Sequence, residues 1–122
     1  MDADELKHLY DAGKRDFTGV NLSKLKLIGF NLVGINLWGA DLTGTNLAKA
    51  KLWGANLSGA NLAKANLTRA NLTCTQLEDA NLRGAKLRHT KLYGANLTGA
   101  LYDDSTKFTK DFDPTSRNMQ KF

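Results

Sequence analysis

ANLSGANLAKANLTRANL, residues 55–72, sets Leu57, Leu62, Leu67 and Leu72 five residues apart. The spacing runs on in both directions: Phe17 and then every fifth residue from Leu22 to Leu97, sixteen leucines without a gap. An α-helix at about 3.6 residues per turn would smear such a series around its surface, and a strand with period two would send alternate leucines to opposite faces. Each quintet therefore contains its own corner. Units this short cannot bury a leucine alone, so they stack into a solenoid whose axis the leucines face.

The positions around each leucine are also patterned. Two residues before it stands Ala at 40, 50, 55, 60, 65, 70, 80, 85, 95 and 100, with Thr45, Thr75 and Thr90 as small substitutes, which marks a second, tight inward position. Immediately before it, over residues 16–96, stands Asn ten times, otherwise Lys26, Lys51, Lys86, Lys91, Asp16, Asp41 or Gln76. Those polar side chains face water or bond to the turns. Early in the repeat, Val20, Leu25, Phe30 and Ile35 fill positions that are Ala later. They suit either a wider first coil packed on itself or a seat for a short N-terminal helix, which Asp2 and Glu5 start with capping-box spacing, Leu6, Leu9 and Tyr10 furnish with an apolar stripe, and Gly13 stops.

The 122 residues make one domain. The formal net charge is +5, unevenly placed: residues 1–16 carry three positive and five negative side chains, residues 103–122 four of each, and the segment between them ten positive and three negative. The repeat body is the basic part. The single cysteine, Cys74, excludes an intramolecular disulfide framework and fits a reducing compartment. The acidic start lacks the basic and apolar regions of a secretory signal, and no apolar run is long enough to span a membrane, so the expectation is a soluble cytoplasmic protein with no membrane partner.

Tandem A-N-L-x-x units such as Ala55-Asn56-Leu57-Ser58-Gly59 and Ala95-Asn96-Leu97-Thr98-Gly99 resemble the signature of the pentapeptide-repeat family over roughly residues 15–104. The tail from Tyr102 to Pro114 is similar to endings of cyanobacterial members. The resemblance implies an all-β fold, a right-handed, four-sided β-helix with four quintets per coil. Residues 1–14 are then a helical cap, 15–104 the repeat body and 105–122 an irregular C-terminal cap. In that cap Lys107 takes the next centre position, Phe108 and Phe112 follow out of phase and close the last coil, and Asp113-Pro114 starts a final helical turn.

Catalysis has no support in the sequence. His8 and His89 are isolated, Cys74 sits at an outward turn position that is often Gly, Asp103-Asp104 lacks further metal ligands at a known spacing, and Gly13-Lys14-Arg15 is no phosphate loop. No cofactor is expected. Some members of the family are understood as acidic DNA mimics, but a mimic needs rows of carboxylates, and only Asp16 and Asp41 are acidic in the position before the leucines.

With four quintets per coil, the side centred on Leu27, Leu47, Leu67 and Leu87 collects Lys26, Lys49, Arg69, Lys86, Arg88 and His89, and the next side adds Lys51, Trp53, Lys91 and Tyr93. The side opposite the basic one carries Asp16, Glu78, Asp79 and Trp38, so the rod is electrically lopsided. The expectation is a non-enzymatic binding module or scaffold that contacts a protein through Trp53, Tyr93, Lys49, Arg69, Lys86 and Arg88, with Trp38 as a separate anchor. The alternative is weak, non-specific binding of nucleic acid or another polyanion by the same basic side, and the plainest reading makes the lysines solvated charges with the aromatics packed along their stems. The chain is expected as a monomer or weakly self-associated through the solenoid ends.

Overall fold

The computed structural model describes residues 1–122. Its body is built from parallel bridges between residues twenty apart, one pair at twenty-one, and these fall into four columns. The first side joins Asp16, Asn36, Asn56, Gln76 and Asn96; the second Asn21, Asp41, Asn61, Asn81 and Leu101; the third Lys26, Asn46, Asn66, Lys86 and Lys107; the fourth Asn31, Lys51, Asn71 and Lys91. One coil is thus four quintets. With stacked strands about 4.8 Å apart, outward residues in one column stand at that interval. Each bridge is a single residue pair rather than a strand, because a turn follows every centre and leaves only two or three extended residues per side.

The turn repeats one chemistry. The residue three after a centre returns a hydrogen bond to it, as Ala70 N–H does to Leu67 O at 2.9 Å. The residue two after the centre has a positive φ, as a type II turn requires at its second central position. Glycine suits that conformation, yet Lys24, Lys49, Lys64, Arg69, Cys74, Asp79 and His89 also hold it, with φ between 56° and 61°. Asparagine before the centre buttresses the turn: Asn66 Oδ1 accepts from Thr68 N at 3.1 Å and from Thr68 Oγ1 at 2.6 Å. Inside, the repeat leucines and most inward alanines are fully buried, each leucine contributing about 1.5–3 kcal/mol before entropy is subtracted. The inward threonines satisfy their hydroxyls on the coil below; Thr75 Oγ1 donates to Leu52 O at 3.1 Å and Thr90 Oγ1 to Leu67 O at 2.7 Å.

At one end lies helix α1, Ala3–Asp11. Asp2 caps it by accepting from Glu5 N at 2.8 Å, and Gly13 ends it at φ 103° with a Schellman pair, Gly13 N to Tyr10 O and Lys14 N to Leu9 O. Leu6 and Tyr10 join the core, with Leu9, Val20, Leu25 and Phe30 packed against it. Tyr10 Oη donates to Val33 O at 2.7 Å, closing a downward carbonyl of the first coil.

The other end departs from the expectation. Lys107 is not a centre: it bridges Lys86 at an offset of twenty-one, so one extra residue is absorbed between Tyr102 and Thr106 and the pattern resumes with Thr106 inward and Phe108 in the centre place. Thr106 Oγ1 donates to Leu82 O at 2.9 Å, as its counterparts do one coil lower. Asp103 Oδ1 supplies the acceptor that a regular coil would provide for Gly84 N, at 3.1 Å. Ring contacts then run Tyr102–Phe108 edge to face and Phe108–Phe112 stacked at 4.7 Å. Pro114 has helical dihedrals and Asp113 Oδ1 accepts from Thr115 N at 3.0 Å, but the element is a single 3-10 turn, Thr115–Arg117. Beyond it the chain returns to the rod: β1, Leu101–Tyr102, pairs in parallel with β2, Gln120–Lys121, and Met119 is buried beneath.

Candidate functional site

Outward residues on the third and fourth sides are placed by the alternation of the coil. Because Ala50 and Leu52 point inward, Lys49, Lys51 and Trp53 point outward in succession; two coils on, Thr90 and Leu92 do the same for His89, Lys91 and Tyr93. Turn bonds from Lys49 N to Thr68 O and from Arg69 N to Arg88 O hold Lys49, Arg69 and His89 as one corner column. Trp53 and Tyr93 share a second column at a separation of about 10 Å, with Thr73 between them. Lys86 and Arg88 lie on the adjacent third side. The structure therefore gathers six of the seven selected residues on two neighbouring sides. Trp38 is on the first side with Ser58 and Glu78 in its column, and does not join them.

These groups are unengaged. Trp53 is 51% exposed and Tyr93 83%. Four cations lie over aromatic rings, on Phe17, Tyr10, Phe122 and Phe112, and none lies over Trp53, Tyr93 or Trp38. Both ion pairs of the chain, Lys7–Asp11 and Lys121–Asp104, are elsewhere, leaving Lys49, Lys51, Arg69, Lys86, Arg88 and Lys91 without a carboxylate partner.

Sequence reasoning missed three features of this surface. Lys107 extends the third-side column above Lys86, a placement hidden by the inserted residue. Ile28 stands 54% exposed beside Lys26, legible as an apolar residue immediately after a centre. Lys24, Lys64 and Arg83 populate the second side, so that above Lys14 and Arg15 at its entry only the first side is free of cations, and Arg83 lies over the Phe122 ring at 5.7 Å.

The carboxylates with resolved shifts lie on the other sides and at the end. Asp16 is held below its ordinary value by the hydroxyl and then the N–H of Thr18, Asp41 by the N–H of Thr43, and Asp103 by the hydroxyl of Ser105 with help from Gly84 N–H. Lys121 is raised by Asp104. No three His, Cys, Asp or Glu side chains converge as a metal site would require. The one cavity, about 250 Å³, lies between α1 and the first coil, lined by Lys7, Tyr10, Asp11, Gly29, Phe30, Asn31 and Leu32. No helix is long and apolar enough to cross a membrane.

The pentapeptide-repeat family model matches in eight copies over residues 16–54, 31–62 and 60–99. No curated protein sequence matches the chain significantly. Among solved structures, Rfr23 from the cyanobacterium Cyanothece 51142 is 44% identical with a TM-score of 0.76 over 76% of this chain, which spans only 63% of Rfr23's length. A pentapeptide-repeat protein from Nostoc Pcc 7120 is 35% identical with a TM-score of 0.57, covering 99% of this chain and 96% of that one. HetL from Nostoc sp. strain PCC 7120, described as involved in heterocyst differentiation regulation, is 36% identical with a TM-score of 0.61, over 89% of this chain and 57% of its own. With its quintet pattern, its stacked columns and these matches, the chain belongs to the pentapeptide-repeat family.

Proposed function

We propose that the protein is a non-enzymatic binding module, a right-handed, four-sided β-helix with a helical cap at 1–14 and a terminal cap at 105–122, that presents its third and fourth sides to a partner protein. The observation that carries this reading is the pairing of uncovered aromatics with unpaired cations on a rigid lattice: Trp53 and Tyr93 stand exposed beside Lys49, Lys51, Arg69, Lys86, Arg88 and Lys91. Aromatic and arginine side chains are favoured at the energetic centre of protein interfaces, and a stacked lattice fixes their backbone positions, so that only side-chain freedom is lost on binding. Involvement of HetL in regulation of differentiation supports a regulatory use of such a surface.

The Lys86–Lys107 neighbours favour one second reading, a polyanion held by charge alone. It predicts affinity that falls steeply with salt and ignores base sequence. To separate the two, the intact protein and a variant with Lys49, Arg69, Lys86 and Arg88 changed to Glu are used to capture partners from lysate of the source organism, with and without nuclease. A captured protein is then purified and its affinity measured directly. Survival through nuclease and a loss of about tenfold or more with Trp53→Ala or Arg69→Glu is expected. Unchanged affinity in both variants refutes the face, and recovery only of nuclease-sensitive material transfers it to the polyanion.

A further inference from the structure

We propose that the free backbone edge from Thr90 to Gly94, at the end of the fourth side, takes up an extended acidic segment of a partner protein as an added parallel strand. Within the body each side offers three groups to the coil above: the centre N–H, the N–H two residues later, and the carbonyl two residues before the centre. One coil below the edge all three are used, by Leu72 N to Lys91 O at 2.8 Å, Cys74 N to Tyr93 O at 2.8 Å and Lys91 N to Ala70 O at 3.0 Å. The corresponding set at the edge is Leu92 N–H, Gly94 N–H and Thr90 C=O, and none of the three has a partner.

The topology explains the vacancy. After Phe108 the chain turns at Thr109–Phe112, crosses the end of the rod, and lays its last residues on the first and second sides, with Gly99 N donating to Asn118 O at 2.8 Å and Gln120 N to Ala100 O at 2.9 Å. Nothing returns to the fourth side. The core is thinnest there: Leu92 is 8% exposed, whereas no other repeat leucine exceeds 2%. Arg117 reaches the corner but occupies Leu92 O and Ala95 O, leaving the ladder groups open.

Continuing the ladder fixes what the occupant must be. Its residue over Lys91 donates its N–H to Thr90 O and accepts from Leu92 N–H; the next turns inward over Leu92; the third stands over Tyr93 and accepts from Gly94 N–H. Lys91 and Arg117 call for a carboxylate at the first place, Leu92 for an aliphatic residue at the second, and Tyr93 for an aromatic or β-branched residue at the third. A second copy of the rod is a poorer occupant. Met119 and Phe112 already pack over the core at this end, and at the other end Tyr10 blocks the fourth side by bonding Val33 O. The proposal rests on the reading that this face meets protein.

The test uses the full-length, isotopically labelled protein and the peptide acetyl-Ala-Glu-Leu-Tyr-Gly-amide, followed by amide NMR. Saturable shifts and slowed exchange at Leu92 and Gly94 are expected, abolished when the Glu nitrogen of the peptide is methylated. Replacing that Glu by Lys weakens binding about tenfold, and Lys91→Glu, at an exposed site, reverses the preference. Absence of saturable shifts at the two amides overturns the proposal, as does equal binding of the methylated peptide. The same shifts produced by an oligothymidylate would overturn it in favour of a polyanion, and concentration-dependent protection of both amides in the protein alone, with a doubled mass, in favour of a second copy. If peptide binding fails while Trp53→Ala and Arg69→Glu still abolish partner capture, strand addition falls and the face stands.

Discussion

Replacement of Arg117 by Ala probes how the open end of the rod is closed. The guanidinium donates to Ala95 O at 3.0 Å and to Leu92 O at 3.3 Å, and lies over the Phe112 ring at 5.3 Å. A charge-assisted bond to a carbonyl is worth about 1.5–3 kcal/mol and a cation over a ring about 0.5–1 kcal/mol. Arg117 is only half-buried, so water takes over part of the acceptor role, and the longer contact adds little. The net cost of Arg117→Ala should be about 1.5 kcal/mol, a fall in Tm of roughly 5 °C for a chain of this size. In a stacked repeat the loss stays near the altered coil. Hydrogen exchange should therefore accelerate at Ala95, Asn96 and Gln120 and remain unchanged at Asn36 and Asn46. Arg117→Lys, which brings a point charge without the fork, should recover less than half of the stability. Thermal melting by circular dichroism and residue-level exchange provide the readouts. A Tm for Arg117→Ala within about 1 °C of the parent, with end-coil exchange unaltered, would refute the assignment of Arg117 as the closing group.

Leu67→Ala, in the fully buried middle of the third side, should cost about 3 kcal/mol by denaturant titration, through lost transfer energy and the cavity left behind. Gly59→Ala should cost about 1 kcal/mol, because only the positive φ is at issue. Gly99→Ala should cost about the same, because the one atom its new methyl group would meet, Asp79 Oδ1, ends an exposed side chain that can swing aside. Asp16, Asp41 and Asp103 have folded-state pKa values depressed below 3.8, so their stabilisation is complete above that value and is lost as pH falls through the folded values. Stability should consequently hold from neutrality to about pH 5 and decline below about pH 4. Asp41→Asn, which installs the residue most common at that repeat position, should flatten this acid limb with little change at neutral pH, as measured by urea titration across the range.

Much of the molecule was legible because its signals are local. The capped helix follows from Asp2, the Leu6–Leu9–Tyr10 stripe and Gly13, all within a dozen residues, and the buried sets follow from the recurrence of Leu and Ala. The C-terminal end was misread at Lys107 because a count in fives cannot detect an inserted residue. Only the bond from Thr106 to Leu82 O and the bridge to Lys86 show where the register resumes. For the candidate face, column membership was legible once four quintets were taken per coil. The freedom of its charges and rings was not, because carboxylates such as Asp104 and rings such as Phe122 find their cations through the returning tail.

By itself the sequence determined that this chain turns a corner every five residues and buries two of each five, since turn chemistry and hydrophobic recurrence are encoded within a quintet. Tertiary structure alone decided which quintets stand over one another, because those bonds join residues some twenty positions apart whose identities are nearly interchangeable from repeat to repeat. It also decided that the tail closes the first and second sides and leaves the fourth side's edge open: the direction of a single crossing segment depends on where Phe108, Phe112 and Met119 find apolar surface, and no local pattern specifies that.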